Sequence, residues 1–157
     1  MEKLVLIGKP VIAGTASGIA LVSHEPLSFW GGYDWKSGEI TDRRHPLSGE
    51  NAKGKVLAVP FTRGSSTTTA VLLEAIREGT APVAIITTAT DFFFALASVV
   101  AGELYEKSFP LIALSDSDFG LLKTGNHIEI TENGNLIVDI TNTPEKIITI
   151  IHKGLNL

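Results

Sequence analysis

The chain has 157 residues, of which 44% are hydrophobic and 19% charged, enough for one hydrophobic core but not two. A net charge of -4, with no Lys/Arg run longer than Arg43-Arg44, excludes the usual pattern of proteins that bind nucleic acid or anionic membranes. The absence of cysteine excludes disulfides and any cysteine-ligated metal centre within this chain.

No stretch approaches the roughly 18 apolar residues of a membrane span, and no apolar leader follows a basic start. We therefore expect a soluble, cytoplasmic protein whose partners are small molecules or other proteins. We expect a single domain over residues 1–157, with its core at about 4–140 and a tail at 141–157 that is compatible with a short helix.

The N-terminal third predicts strands followed by a long loop. Short apolar runs at 4–7 and 19–22 predict two β-strands. Residues 26–51 are rich in glycine, contain two prolines and both tryptophans, and predict a long turn-rich segment. Loops of this length are often functional.

The centre of the chain alternates between strand and helix patterns. Apolar runs at 55–60, 83–87 and 111–114 predict strands, and residues 67–78 and 91–106 predict the helices between them. This β-α-β-α-β order is typical of a parallel sheet with right-handed crossovers.

The C-terminal part predicts an antiparallel hairpin. Residues 127–130 and 136–140 alternate between apolar and polar around a turn that contains Asn133-Gly134. The fold class is therefore α/β, with β-rich ends around the central layer.

The second predicted helix is apolar on almost every side, since Phe92, Leu96 and Val99 lie outside its main apolar stripe. The pattern favours a helix that is buried on most sides. The alternative is that one side awaits a partner.

The segment 62–67 lies between a predicted buried strand and a helix, and we predict that it is the functional site. The helix start offers backbone N–H groups at the positive end of the helix dipole, which suits an anion. Arg63 adds a planar cation for a carboxylate or phosphate, and residues 65–69 supply five hydroxyls. Helix capping explains one or two of these hydroxyls but not the whole cluster. The spacing is not that of a P-loop.

A hydroxyl in this loop cannot become a base unaided. Its pKa starts near about 15.7, a helix end supplies up to ~2 kcal/mol, and a cation at ~4 Å supplies about 4 kcal/mol. At about 1.36 kcal/mol per unit, the pKa falls by roughly 4 to 5 units. The alkoxide is then still a minor species at neutral pH, so further positive charge must come from outside the chain.

Other candidate residues lie in the long loop. The glycine pair Gly31-Gly32, followed by Asp34, predicts a packed turn that shapes the site, and Trp30 could pack it. His45 follows two arginines, whereas the four histidines together show no metal-binding spacing. A Ser-His-Asp hydrolase is not excluded by spacing, but Ser65 lacks the Gly-x-Ser-x-Gly elbow.

Six short motifs, in their order and spacing, resemble the small subunit of aconitase X enzymes over roughly residues 11–140. The motifs are Ser28-Phe29-Trp30-Gly31-Gly32-Tyr33-Asp34, His45-Pro46-Leu47-Ser48-Gly49-Glu50, Gly54-Lys55-Val56-Leu57, Arg63-Gly64-Ser65-Ser66, Val71-Leu72-Leu73-Glu74 and Gly79-Thr80-Ala81-Pro82.

The resemblance implies a swivelling β/β/α domain that is one part of a heteromeric hydro-lyase and is inactive alone. In that family a large subunit holds iron, often an iron-sulfur cluster, through its own cysteines, and the small domain brings a serine that accepts a proton. The matching residue is Ser65, with Arg63 as a binder of substrate carboxylate. The rest of the substrate-binding loop would be Gly64, Ser66 and Thr67.

The resemblance also implies a small hydroxy acid as substrate, either cis-3-hydroxy-L-proline or mevalonate 5-phosphate. Pro60-Phe61-Thr62 stands where the archaeal mevalonate type tends to have Pro-Gly-Gly, which favours the other branch. The alternative function is a non-catalytic anion-binding or regulatory module that uses Arg63-Gly64-Ser65. A phosphohistidine carrier is disfavoured because no histidine lies between Pro60 and Ala70.

Overall fold

The computed structural model describes residues 2–63 and 66–141, within which eight strands form a mixed sheet with three helices. Gly64, Ser65 and residues 142–157 lie outside the described residues, and so does the predicted C-terminal helix. The strands are β1 (Lys3–Ile7), β2 (Lys9–Ile12), β3 (Ala16–Val22), β4 (Val56–Ala58), β5 (Ala84–Thr87), β6 (Leu111–Ala113), β7 (His127–Ile130) and β8 (Asn135–Asp139), and the helices are α1 (Thr67–Glu78), α2 (Phe92–Tyr105) and α3 (Asp116–Phe119).

The predicted β-α-β-α-β centre is confirmed. Strands β4, β5 and β6 pair in parallel, with α1 and α2 as the crossover helices, and β3 extends the parallel part by pairing with β4. Because three strands in a row progress in one direction through right-handed crossovers, α1 and α2 lie on the same face of the sheet. They pack against each other there.

The predicted hairpin is also confirmed, with its second strand one residue earlier than expected. β7 and β8 pair antiparallel with Ile130 opposite Leu136. Gly134 closes the turn at φ 89°, a conformation that favours glycine. β8 then pairs with β1, and β7 pairs with β3, so the hairpin joins the N-terminal strands to the parallel part.

Strand β2 and the curl of the sheet were not predicted. β2 contains Pro10 and pairs antiparallel with β6 at one end of the sheet, while β1 forms the other end. These two end strands are consecutive in the chain and are separated only by Gly8, so the sheet curls until its ends meet. A Cβ at Gly8 would collide with Ile112 and would come within 2.6 Å of the Gly134 carbonyl oxygen. Glycine is therefore required where the two ends meet.

Two hydrophobic clusters divide the molecule into three layers. Leu57 and Ile85, on one face of the parallel strands, pack with α1, α2 and the long loop. Val56 and Ile86, on the other face, pack with the antiparallel strands and with Phe119 of α3. The order antiparallel strands, parallel strands, helices is the β/β/α layering that the resemblance implied.

The prediction that α2 is buried on most sides is wrong. Its inner face, which includes Phe94, Ala97 and Ala101, is buried against α1 and the sheet, but Phe92 and Val99 project outwards and are exposed. A helix that is apolar all round is usually covered on all sides, and here the side that carries Phe92 and Val99 is left open. Among residues 2–63 and 66–141, no helix combines the length and the apolar character needed to cross a membrane.

Candidate functional site

The predicted site loop lies at the edge of the sheet where the parallel strands end. After β4, the Pro60 carbonyl accepts a hydrogen bond of 3.0 Å from the backbone N–H of Thr88, which follows β5. Thr62 forms a parallel bridge with Leu27, and the Arg63 N–H donates to the Leu27 carbonyl at 3.0 Å. The loop is therefore held between the neighbouring strand and the long N-terminal loop, at the position where open α/β sheets bind ligands.

Asp91 fastens the site loop to α2. One carboxylate oxygen caps α2 by accepting from the N–H groups of Phe93 and Phe94, both at 3.1 Å. The other oxygen accepts from the Thr62 N–H at 2.8 Å. The cap could be expected from an Asp directly before an apolar helix. The long-range bond to Thr62 has no signal in the sequence.

Of the four hydroxyls that residues 66–69 carry, two face the interior. Thr69 donates to the Phe93 carbonyl at 3.1 Å and so joins the two helices, while Thr68 is buried. Ser66 stands at the N-cap but makes no side-chain capping bond, and Thr67 is the first residue of α1. The predicted site residues Gly64 and Ser65 lie between Arg63 and Ser66, outside the described residues.

Two buried hydroxyls flank the Gly64-Ser65 pair in the sequence and lack hydrogen-bond partners. Within the described part of the chain, the Oγ1 atoms of Thr62 and Thr68 have no partner. A buried hydroxyl without a partner is unfavourable by about 1–3 kcal/mol. The hydroxyl groups of Thr62 and Thr68, close to the site in sequence, are therefore free to bind a further polar group.

Arg63 opens onto a polar cleft that the long loop completes. The cleft has a volume of about 440 Å³, and its lining includes three arginines and two acidic residues, an excess of positively charged residues. In residues 2–63 and 66–141 none of these arginines forms an ion pair with a carboxylate, since the ion pairs found there involve Arg77. The lining residues are Glu25, Pro26, Ser28, Asp42, Arg43, Arg44, His45 and Arg63.

His45 belongs to the wall of this cleft. Its side chain is buried, Nδ1 accepts from the Leu47 N–H at 3.1 Å, and Nε2 lies 3.2 Å from the Glu25 carbonyl oxygen. These two bonds fit a neutral imidazole with its proton on Nε2. Both ring nitrogens are engaged, so His45 holds the cleft together and offers no nitrogen for phosphate transfer.

Gly31 and Gly32 do not line the cleft, but they bind the residue before the turn that does. Their carbonyl oxygens accept from the hydroxyl and the N–H of Thr41, at 3.2 and 3.0 Å, and Thr41 directly precedes the arginine-bearing turn. A Cβ at Gly32 would collide with the Ser28 carbonyl oxygen, so only glycine allows this close approach.

Asp34 and Trp30, in the same segment, do not have the roles that the sequence suggested. Asp34 accepts from the Lys36 N–H and the Ser37 hydroxyl, and these hydrogen bonds lower the pKa of its carboxyl group. It is a turn residue outside the cleft. Trp30 does not pack the turn, because it is largely exposed, and the buried rings of Phe29 and Tyr33 stack there instead.

The described residues do not fit an iron centre. Between residues 2 and 141, apart from the pair 64–65, no three His, Asp or Glu side chains converge as metal ligands, and the chain has no cysteine. Sequence reasoning did not name Arg43 and Arg44 as site residues, although both line the cleft. The one sequence feature that could have indicated them is their position directly before His45 in the long loop.

Comparison with known proteins assigns the family. A family model described as the aconitase X swivel domain matches residues 5–139. Cis-3-hydroxy-L-proline dehydratase of Pseudomonas aeruginosa is 45% identical over 71% of this chain, but the chain spans only 19% of that protein. The phosphomevalonate dehydratase small subunit of Methanosarcina acetivorans is 33% identical over 83% of this chain and 87% of that subunit.

The fold comparison agrees. The crystal structure of Thermococcus kodakaraensis aconitase X in its holo-form contains a chain that is 28% identical, with a TM-score of 0.77 over 87% of this chain and 98% of that one. The layers, the curled sheet and the sequence match thus lead to one conclusion. The chain belongs to the aconitase X swivel domain family.

Proposed function

We propose that this chain is the swivel-domain small subunit of a heteromeric hydro-lyase that dehydrates a small hydroxy acid. The observation that carries the proposal is that relatives of two kinds contain this domain. Small subunits match it over most of their length, while a single-chain dehydratase contains it as about a fifth of a longer protein. We therefore expect a large subunit to supply the rest of the active site.

Arg63 binds the substrate carboxylate in this proposal, with Gly64, Ser66 and Thr67 contributing backbone and hydroxyl donors. Support comes from the cleft, which places Arg63 with Arg43 and Arg44 at the edge of the sheet. A guanidinium binds a carboxylate through two parallel hydrogen bonds, which fixes the orientation of the substrate.

Ser65 accepts the proton from the carbon next to the carboxylate. The electrons of that C–H bond form the carbon-carbon double bond, and the hydroxyl group of the adjacent carbon leaves with its bonding pair, so the net product besides the alkene is water. The start of α1 and the arginine cleft favour negative charge on the serine oxygen. The remaining positive charge comes from the partner, which would also hold the iron that the family implies.

The substrate that we favour is cis-3-hydroxy-L-proline, with mevalonate 5-phosphate as the second choice. The higher identity to one cis-3-hydroxy-L-proline dehydratase, 45% against 30 to 36% for phosphomevalonate dehydratase small subunits, supports this order. So does the Pro60-Phe61-Thr62 sequence before Arg63.

The test is reconstitution of the chain with its large subunit, followed by measurement of dehydration of both substrates. We expect activity only when both chains are present. Ser65→Ala should lower kcat about 10²- to 10⁴-fold, the usual contribution of a positioned proton acceptor. The control is Ser108→Ala, because Ser108 is exposed and distant from the cleft lining. Near-normal activity of Ser65→Ala would show that another group accepts the proton.

A second function is favoured by the fact that one chain forms the whole arginine cleft. A finished anion-binding or regulatory module would bind anions alone. Calorimetric titration of the isolated chain with inorganic phosphate and with small carboxylates separates the two functions. Micromolar affinity in the absence of a partner would favour the binding module, whereas a catalytic small subunit should bind these anions only weakly.

A further inference from the structure

The outward face of α2 carries large exposed apolar side chains, and Glu103, near the end of the helix, is the exposed charged residue on it. Phe92, Val99 and Leu104 on this helix are 66%, 52% and 63% exposed. Phe92 and Val99 are seven residues apart and therefore lie on one line along the helix. Leu104 lies roughly 120° around the helix axis from Phe92, at the flank of this line. Apolar side chains that are exposed singly need no explanation, but several large ones on one helix mark an interaction surface.

This face continues to the rim of the candidate site. Phe92 directly follows Asp91, whose carboxylate accepts the Thr62 N–H at 2.8 Å. Phe61, which is 48% exposed, directly precedes Thr62. The hydrogen bond therefore ties the segment that carries Phe61 to the start of α2, which carries Phe92. Exposed aromatic residues therefore stand both on the site loop and at the first position of the helix.

We infer that the large subunit docks on the surface formed by Phe61, Phe92, Val99 and Leu104, hereafter the α2 surface. The inference rests on the proposed function. In the single-chain relatives this domain is about a fifth of the protein, so a much larger body adjoins it. A body that completes the active site must meet this chain at the site loop, and the α2 surface is an apolar surface that begins there.

A second exposed apolar set provides the control. Val5 and Ile7 on β1 are 60% and 78% exposed, but they lie in the antiparallel layer, which the parallel strands separate from α1 and α2. Val5 matches Val99 in residue type and closely in exposure. Comparing the same substitution at Val5 and at Val99 therefore shows whether the position of an exposed valine, and not its apolar character alone, determines the effect on binding.

The experiment measures binding of the full-length chain to its purified large subunit by isothermal titration calorimetry. Val99→Lys should weaken binding at least about tenfold, because a charge would be desolvated in the centre of an apolar contact. Phe92→Ser should do the same. Val5→Lys should stay within about twofold of the wild type. Thermal unfolding of each isolated variant should remain near the wild-type midpoint, since lysine is the better helix former at position 99.

Three outcomes overturn the inference. The first is unchanged affinity of Val99→Lys and Phe92→Ser, or a larger loss with Val5→Lys. The second is a wild-type chain that sediments as a dimer and becomes monomeric on Val99→Lys while partner affinity stays constant, which assigns the surface to a second copy. The third is a large drop in the thermal midpoint of isolated Val99→Lys, which assigns the surface to a segment of the same chain.

Binding and dehydration are measured in separate assays, so the results distinguish an error in the docking surface from an error in the proposed function. A complex that forms through the α2 surface but dehydrates neither candidate substrate refutes the function and leaves the surface intact. A reconstituted enzyme that dehydrates substrate with the same dependence on the concentration of wild-type and Val99→Lys chains refutes the surface and leaves the function intact.

Discussion

Two neighbouring helices present opposite chemistry to the solvent. α1 and α2 lie side by side on one face of the parallel sheet. The outer face of α1 carries charges, with the Arg77 guanidinium 2.7 Å from a carboxylate oxygen of Glu74. The outer face of α2 carries Phe92 and Val99, with Glu103 as its exposed charge.

The different outer faces of α1 and α2 indicate different roles for the two helices of this layer. A helix that remains in water gains from a charged outer face. α1 has such a face, and its first residue, Thr67, is the last residue of the predicted site segment. An apolar outer face is favourable only when something covers it. We therefore assign the chemistry to the start of α1 and the attachment of the partner to the side of α2.

The largest expected effect on stability concerns how the two helices begin. Asp91 caps α2 and holds Thr62, whereas Ser66 makes no capping bond in α1. Asp91→Ala should lower the free energy of unfolding by about 3 kcal/mol, because a cap and a charge-assisted hydrogen bond are both lost. Ser66→Ala should change it by less than about 0.5 kcal/mol. Urea unfolding measures both, and equal losses would show that the two helix starts are held alike.

A smaller effect concerns the residue that holds the end of α1. The buried Tyr33 hydroxyl donates to the Thr80 carbonyl at 2.7 Å, just beyond the α1 C-cap, and burial raises the pKa of Tyr33. The neutral phenol therefore stabilises the fold fully below about pH 10, the pKa of tyrosine in the unfolded chain, and progressively less as the pH rises above it.

Tyr33→Phe should cost about 1 kcal/mol at neutral pH through loss of this bond. Its thermal midpoint should fall less steeply above about pH 10 than that of the wild type. Tyr105→Phe, on α2, is the matched loss of one phenolic hydroxyl. If both variants flatten the pH profile equally, Tyr33 is not the group responsible.

The smallest effect concerns the caps at which the helices end, both of which are left-handed. Gly79 ends α1 at φ 79°, and a Cβ there would meet nothing within 4 Å, while Glu106 ends α2 at φ 54°. Gly79→Ala should destabilise by about 1 kcal/mol through backbone strain alone, and Glu106→Gly should stabilise by up to about 1 kcal/mol. Thermal unfolding checks the signs. The same sign for both changes would mean that backbone conformation does not decide these caps.

Local patterns predicted most of the fold. The apolar runs around α1 and α2 indicated the parallel centre, and Asn133-Gly134 indicated the hairpin, because strand pattern and turn chemistry are local. β2 escaped prediction, since Pro10 argues against a strand unless pairing at a sheet edge supplies the reason. The short helix α3 was missed as well. The exposure of α2 could not be predicted, because an all-round apolar pattern does not say which sides are covered.

The site was predicted in part. The sequence indicated Arg63 and its loop through the helix start and the hydroxyl cluster, and the structure brings His45 to the same cleft. Arg43 and Arg44 join them because the Leu27–Thr62 bridge draws the long loop to the site, a contact across 35 residues that no local pattern encodes. The roles of Gly64 and Ser65 stay predictions.

The separation of chemistry from docking is tested most directly by one titration. A fixed amount of large subunit is titrated with wild-type, Ser65→Ala or Val99→Lys chain, and the dehydration rate is followed to its plateau. For Ser65→Ala we expect a plateau rate at least about 10²-fold lower than that of the wild type. The concentration of Ser65→Ala chain that half-saturates the large subunit, measured by competition with the wild-type chain, should equal the wild-type value. Val99→Lys should reach the wild-type plateau at a concentration about tenfold higher or more. The reverse pattern, with Ser65 governing half-saturation and Val99 the plateau, would contradict this division of tasks between α1 and α2.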